Sequence, residues 1–317
     1  MPETLVEHCD RVAIALAEGR VTPFFGAGVN LCGRPKDLIW ERGSRYLPSG
    51  GELAEHLARK FNYPGDDKKD LLRVSQYAAI MEGYGVLYSE LRKLFDADYQ
   101  LTPLHRFFAT LPALLREKGY PPGHQLIVTT NYDDVMERAF QEASEEFDLV
   151  SYVTEDKQLH GKFWHWPPDG KARIIRKPNK YGGLELKNRS IILKVHGAID
   201  RLNSERDSFV ITEDDYIDYL MRANINTLVP VNVAAKLKRS HFLFLGYSLR
   251  DWNLRVLLQR IWREERLSWK SWAVLLDPQR YDLVFWRKHD VDIYDARLED
   301  YIETLTERVK ALPRDGV

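Results

Sequence analysis

An α/β fold built around a parallel sheet is predicted by three features of this sequence. Short apolar runs of strand length alternate with amphipathic stretches of helical period. Four of these runs end in small or polar motifs: Gly26-Ala27-Gly28, Thr129-Thr130-Asn131-Tyr132-Asp133, His196-Gly197 and Gly246-Tyr247-Ser248. The alternation breaks once, for a long, purely helical stretch after the first strand. Open α/β sheets bind ligands at the carboxyl ends of buried parallel strands. The expected architecture is therefore a Rossmann-like parallel sheet with a helical insertion. We read one domain over residues 1–317, with 1–30 and 120–317 as its core and 31–119 as the insertion.

The elements follow in order. Leu5, Cys9, Val12 and Leu16 recur at helical spacing, and Gly19 can end that helix. The run Val-Thr-Pro-Phe-Phe then enters the glycine turn as a strand. Between about 50 and 119, Leu53/Leu57/Phe61, Leu71/Val74/Ala78/Met81 and Leu104/Phe107/Phe108/Leu111/Leu114/Leu115 each mark one helix face. A strand is expected at Gln125–Thr129 and a helix at Asp133–Ala143. Residues 146–190 are less regular, with a hairpin of Phe163–Trp166 and Arg173–Arg176 turning at Asp169-Gly170. Strands are expected at Ile191–Val195, His241–Leu245, Trp272–Leu276 and Val291–Tyr294. Helices are expected at about 251–262, around Asp282–Arg287, and through Leu298, Ile302, Leu305 and Val309. Thr212 is placed to cap a helix beginning at Glu213-Asp214-Asp215.

Composition permits a globular chain. Hydrophobic residues make up 44% and charged residues 29%, so a core can form, and a net charge of -1 demands neither nucleic acid nor an acidic membrane. Two cysteines, Cys9 and Cys32, are too few for a zinc ribbon and fit a reducing compartment. The charged start, Met-Pro-Glu-Thr-Leu-Val-Glu-His, is no secretory signal, and no run reaches the roughly 20 apolar residues of a membrane span. We expect a cytoplasmic protein with no membrane association, no metal and no direct nucleic-acid binding. The basic stretch Lys171, Arg173, Arg176, Lys177, Lys180, Lys187 and Arg189 reads as a solvated hairpin, and Phe163-Trp164-His165-Trp166 as a packed hairpin face.

Four places carry candidate chemistry. Gly26, Ala27 and Gly28 end a strand, where glycines admit a pyrophosphate and the next helix N-terminus favours its charge. The third glycine of a dinucleotide fingerprint is missing, since position 31 is Leu31. Asn131 either caps the next helix or hydrogen-bonds a ribose or a water. His196, at a strand terminus beside Gly197, suits a general base, with an ordinary pKa near neutrality. Ser248 either caps a helix or binds a phosphate or ribose hydroxyl.

Taken together and in this order, the motifs resemble the sirtuin (silent-information-regulator) superfamily over about residues 20–297. Its members carry a GAG loop, a T-x-N-x-D strand end, an H-G histidine and a G-[TY]-S-L segment. The resemblance implies that Gly26, Ala27 and Gly28 cradle the phosphates of NAD. It implies that Asn131 meets the nicotinamide ribose or positions a water, and that Asp133 helps hold the nicotinamide side. His196 would act as base on a ribose hydroxyl or water. Ser248 would bind the adenosine-side phosphate or ribose, Asn30, Thr130 and Gly246 would also contact NAD, and the strand end at Tyr294-Asp295 would lie by the adenine.

The departures are as informative. Deacylating sirtuins resemble one another in a zinc ribbon between H-G and G-T-S, but residues 198–245 contain no cysteine. Asn30 stands where a serine is usual. The pattern looks more like the bacterial sirtuin-like NAD hydrolases of antiphage defence, in which water takes the place of the acyl-lysine. NAD is then a substrate, cleaved to nicotinamide and ADP-ribose. A non-catalytic NAD or ADP-ribose sensor or scaffold is the alternative. The family implies a homo-oligomer, with a separately encoded HerA-type ATPase or Argonaute-like protein as a candidate trigger.

Overall fold

A computed structural model describes residues 3–121, 123–154, 158–222, 229–248 and 269–314. The expected helix near 251–262, with Trp252 and Trp262, lies outside them. Helix α1 (Leu5–Ala17) opens with a capping box, in which the Thr4 side chain accepts from the Glu7 N–H and the Glu7 carboxylate accepts from the Thr4 N–H. Its stripe of Cys9, Val12 and Leu16 is fully buried.

Strands β1 (Val21–Phe25), β2 (Leu126–Thr129), β3 (Phe147–Tyr152), β4 (Phe163–Trp166), β5 (Arg173–Ile175), β6 (Ser190–Lys194), β7 (His241–Leu245), β8 (Ser271–Leu275) and β9 (Val291–Asp295) form one sheet. Their order is β5-β4-β3-β6-β2-β1-β7-β8-β9. Neighbours from β3 to β9 are parallel, and the β4–β5 hairpin closes one edge in antiparallel fashion. The mostly parallel α/β sheet expected from the sequence is present.

Both faces of the sheet are covered, which is why its strands read as continuous apolar runs. Side chains alternate along β1, so Phe25 enters the core beneath α1 and the helices that follow β1, while Phe24 enters the opposite core with Phe242, Phe244 and Trp286. Each fully buried phenylalanine contributes roughly 1.5–3 kcal/mol.

Four helices lie between β1 and β2: α2 (Gly50–Lys60), α3 (Leu71–Glu82), α4 (Tyr84–Phe95) and α5 (Pro103–Glu117). Their buried faces carry Leu53, Leu57, Val74, Ala78, Leu104, Phe108 and Leu111 as expected. Met81 does not follow: it is in phase with Val74 and Ala78 but sits 60% exposed on the last turn of α3, past the covered part of that stripe. The other α-helices among the described residues are α6 (Val135–Glu142), α7 (Glu213–Arg222), α8 (Val231–Lys238), α9 (Arg280–Arg287) and α10 (Leu298–Ala311). Thr212 caps α7, its hydroxyl accepting from the Asp215 N–H at 3.1 Å while the Asp215 carboxylate accepts from the Thr212 N–H at 2.9 Å.

The irregular region after residue 146 contains a strand the sequence did not reveal. β3 pairs in parallel with β6, and its Asp148 is fully buried. That carboxylate is held by His165 Nε2 at 2.8 Å and Arg189 Nε at 2.8 Å. His165 is thus a buried anchor of the packed hairpin. Lys171, Arg173, Arg176, Lys177, Lys180 and Lys187 are exposed, and Arg173 pairs with Asp169. Among the described residues no helix is long and apolar enough to cross a membrane.

Candidate active site

Register places the motifs at one edge of the sheet. Phe25 is aligned with Thr129 and with Leu245, and Thr129 with Lys194. Gly26, Thr130, Gly246 and Val195 therefore leave the sheet at the same level. The chain runs from β1 to one side through β2 and to the other through β7, which makes this edge the topological switch point of the sheet.

The glycines also seat one loop on another. Gly28 donates its N–H to the Gly246 carbonyl at 2.9 Å, and Gly26 donates to the Leu245 carbonyl at 3.0 Å. A Cβ on Gly28 would stand 2.8 Å from the Gly246 backbone. The loop after β1 is thus seated on the loop after β7. After Gly26 comes a short 3-10 turn, Ala27–Leu31, rather than the expected α-helix. Gly246 has φ +71°, and a Cβ there would lie 2.3 Å from Val29 N. We expect Gly246→Ala to cost about 1–3 kcal/mol through backbone strain alone, with a further loss as the two loops separate. A melting curve unchanged from the parent would refute this account of the junction.

A cavity of about 480 Å³ lies at this edge. Gly26, Ala27, Gly28, Asn30, Thr130, Asn131, Asp133, His196, Gly246 and Ser248 all line it. Ser49 and Leu53 of the helical stretch and Phe95 of α4 close it from the other side. A second cavity of about 700 Å³ adjoins it, sharing Gly28, Leu31, Ser49, Gly246, Tyr247 and Ser248 and extending past Arg34 and Arg297. Asp295 lines neither. Its carboxylate accepts from the Asp277 N–H at 2.9 Å, and its neighbour Ala296 lines the larger cavity.

Asn131 is no helix cap. Its Nδ2 donates to the Gly26 carbonyl at 3.2 Å and its N–H to Thr129 Oγ1 at 3.0 Å, which ties the β2 loop to the β1 loop. Its Oδ1 has no hydrogen-bond partner among the described residues. Thr130 Oγ1 lies 3.3 Å from the Tyr247 hydroxyl. Asp133 is buried, accepting the Val135 N–H at 3.1 Å on Oδ1 and the Asn30 Nδ2–H at 2.9 Å on Oδ2. Asn30 is 6% exposed, and its own Oδ1 is enclosed with no hydrogen-bond partner among the described residues. Leaving such an acceptor unsatisfied costs about 1–3 kcal/mol.

His196 is 5% exposed, edge-on to the rings of Tyr216 and Tyr219, with Nδ1 3.3 Å from the Tyr216 hydroxyl. Burial lowers its pKa from the ordinary value to about 3, so the expected near-neutral base is a neutral imidazole throughout the physiological range. In the tautomer whose Nδ1–H donates to the Tyr216 hydroxyl, Nε2 keeps its lone pair for a ligand. The neighbouring Gly197 serves protein packing: at φ +90°, a Cβ there would stand 2.1 Å from the Ser208 carbonyl oxygen.

Sequence reading missed Lys194 and Glu137. Lys194 ends β6 with its side chain 1% exposed, forming an ion pair with Glu137 of α6 at 2.6 Å and donating to the Asp133 carbonyl. Desolvation raises the Glu137 carboxyl to about 7, against the pull of Lys194. A lysine inside the apolar run Ile-Ile-Leu-Lys-Val was the available signal. Tyr216 and Tyr219 gave none, because only the tertiary fold brings α7 to His196.

Burial of neutral histidines makes stability pH-dependent. His8, His105 and His196 each fall to about 3, chiefly through desolvation. The unfolded chain binds protons near pH 6.5 and the folded one near 3, so stability is full above 6.5 and is lost as pH falls toward 3. Each histidine withdraws about 2 kcal/mol between pH 7 and pH 5, and protonation of the raised Glu137 carboxyl returns about 2 kcal/mol. We expect a net loss of about 4 kcal/mol over that interval, read by urea unfolding at the two pH values. Equal stability at both would refute it.

A mostly parallel sheet with a cavity at its switch point, seated between glycine loops, places the chain among the open-sheet α/β proteins. More narrowly, residues 125–294 match the SIR2-like domain, and the chain belongs to that family. Defense-associated sirtuin 2 of Bacillus subtilis is 24% identical over 302 residues, covering 93% of this chain and 25% of that protein. NAD(+) hydrolase ThsA of Enterococcus faecium is 25% identical over 253 residues, covering 79% of this chain and 42% of that protein. The protein of the same name from Acinetobacter baumannii is 27% identical over 258 residues, covering 80% and 41%. The chain thus spans between a quarter and about two fifths of the length of these curated relatives.

Proposed function

We propose that this chain cleaves NAD+ with water to nicotinamide, ADP-ribose and a proton, and that it serves antiphage defence by depleting NAD+. The observation that carries the reading is the convergence of Asn131, His196, Asp133 and both glycine loops on one cavity. Relatives named as NAD(+) hydrolases and as a defense-associated sirtuin support it.

The chemistry suits these residues. When the C1′–N bond breaks, its electron pair neutralises the pyridinium nitrogen, so the leaving group needs no acid. The ribose passes through an oxocarbenium-like state. The free Oδ1 of Asn131 orients a ribose hydroxyl or the attacking water. The lone pair of His196 accepts a hydrogen bond from that hydroxyl or water as positive charge builds. With a pKa of about 3 the imidazole does not keep the proton, which passes to solvent. The adjoining cavity, with Arg34 and Arg297 at its margin, receives the ADP portion.

The test is to incubate the purified chain with NAD+ and follow nicotinamide and ADP-ribose by chromatography. Release of both in equal amounts is expected. Tight binding of NAD+ without release would instead favour a sensor, and no binding at all would end the nucleotide reading.

A further inference from the structure

The β4–β5 hairpin, at one edge of the sheet, carries a charge unlike that of the rest of the chain. Residues 162–189 hold eight lysines and arginines against two carboxylates, Asp169 and Glu185, in a chain whose net charge is -1. Six of these cations, Lys171, Arg173, Arg176, Lys177, Lys180 and Lys187, are exposed. Arg173 pairs with Asp169, whereas Lys171, Arg176, Lys177 and Lys180 form no ion pair among the described residues.

The sequence suggests that Phe163-Trp164-His165-Trp166 packs as one face. Strand alternation divides it instead. Phe163 and His165 are buried, while Trp164 and Trp166 share the opposite face, partly exposed, with ring centroids 6.1 Å apart. Ile174 of β5 stands beside Trp164 in the ladder, and the Arg206 guanidinium lies 5.5 Å from the centre of the Trp164 ring. Lys171 lies two residues before β5 and Arg176 directly after it, so cations flank the aromatic pair along the outer strand. Protecting an edge strand from unwanted pairing takes a charge or two. Four unpaired cations beside two tryptophans match a polyanion that also carries flat rings. In a duplex those rings are already stacked on one another, so a single strand is the form that offers them.

The geometry points to this hairpin as a binding surface for single-stranded nucleic acid, on which unpaired bases stack against Trp164 and Trp166 while Lys171, Arg176, Lys177 and Lys180 hold the phosphates. The near-zero net charge conceals the basic segment, which is why the sequence alone suggests no nucleic-acid contact. This surface is separate from the proposed NAD+ site. Strands β4, β3 and β6 lie between β5 and β2, a span of about 19 Å. None of the hairpin residues lines the 480 Å³ or the 700 Å³ cavity.

The probe is a fluorescein-labelled oligothymidylate of about 20 nucleotides, titrated with the full chain and read by anisotropy. A Kd of about 1–10 µM is expected at about 50 mM salt, weakening about 10–50-fold at about 200 mM as phosphate contacts are screened. Trp164→Leu and Trp166→Leu should each weaken binding about 5–100-fold and leave its salt dependence unchanged. Lys177→Gln with Lys180→Gln should flatten that salt dependence. Both lysines are exposed, so this double variant keeps the test open should a tryptophan variant fail to fold.

Poly-glutamate, which offers charge without rings, distinguishes an acidic protein partner. If it binds as tightly as the oligonucleotide and neither tryptophan matters, the nucleic-acid surface is overturned. Tighter binding of a duplex of the same length, or no binding of the oligonucleotide at about 100 µM chain, would overturn it as well.

Discussion

On the proposed reading, replacing His196 by alanine reduces NAD+ cleavage by about 10²–10⁴-fold, and Asn131→Ala does the same. Both side chains line the cavity, and each keeps one acceptor free for substrate once its protein contacts are made. Asn131 uses Nδ2 on the Gly26 carbonyl, and His196 uses Nδ1 on Tyr216. Neither alanine can orient a hydroxyl or a water, so the loss should fall mainly on kcat, with NAD+ binding changed far less. The pH profile adds a sharper test. Because burial holds the His196 imidazole neutral down to about 3, its protonation produces no acid limb between pH 8 and pH 5.5. An acid limb with a midpoint near 6.5 that disappears in His196→Ala would contradict the buried, neutral histidine. Full activity in His196→Ala would remove it from the reaction altogether.

Lys194→Met is expected to be the most damaging single change to stability, at about 3 kcal/mol or more. Lys194 and Glu137 are almost wholly enclosed and stand 2.6 Å apart. Removing the ammonium leaves a carboxyl in an apolar setting and the Asp133 carbonyl without its donor. The Glu137 carboxyl, already raised to about 7, will take up a proton at neutral pH, and that limits the loss. The thermal midpoint should fall by about 6 °C or more. Replacing both residues together, as Lys194→Met with Glu137→Leu, should recover at least half of that, because a buried ion pair and a well-packed apolar pair differ little in stability. A double variant no better than Lys194→Met would show that the lysine acts through Asp133 and not through its ion pair.

These two predictions draw on different kinds of information. Asn131 and His196 were legible in the sequence because a strand end is a local feature: an apolar run stops and a polar residue follows. The same local logic located β1, β2, β6, β7, β8 and β9 and the helices after β1, since each is set by periodicity within about a dozen residues. It also located the cap at Thr212. Where a buried position is polar, that logic fails. β3 was missed because Asp148 breaks its apolar run, and Asp148 is buried only because His165 and Arg189 arrive from other strands and loops to satisfy it.

The fold decided the rest through contacts between distant segments. The glycines of the first loop are required by the Gly246 backbone, more than 200 positions along the chain. His196 loses its ordinary pKa because Tyr216 and Tyr219 of α7 cover it. Asp295 accepts the Asp277 N–H on its carboxylate, a contact between segments 18 positions apart. Asn30 is oriented by Asp133 and Asp133 by Lys194, a chain of contacts that crosses three strands of the sheet. Residue type and local period determine which groups reach the sheet edge. Burial, desolvation and the choice of hydrogen-bond partner depend on what packs over them, so these became visible only once the chain was folded.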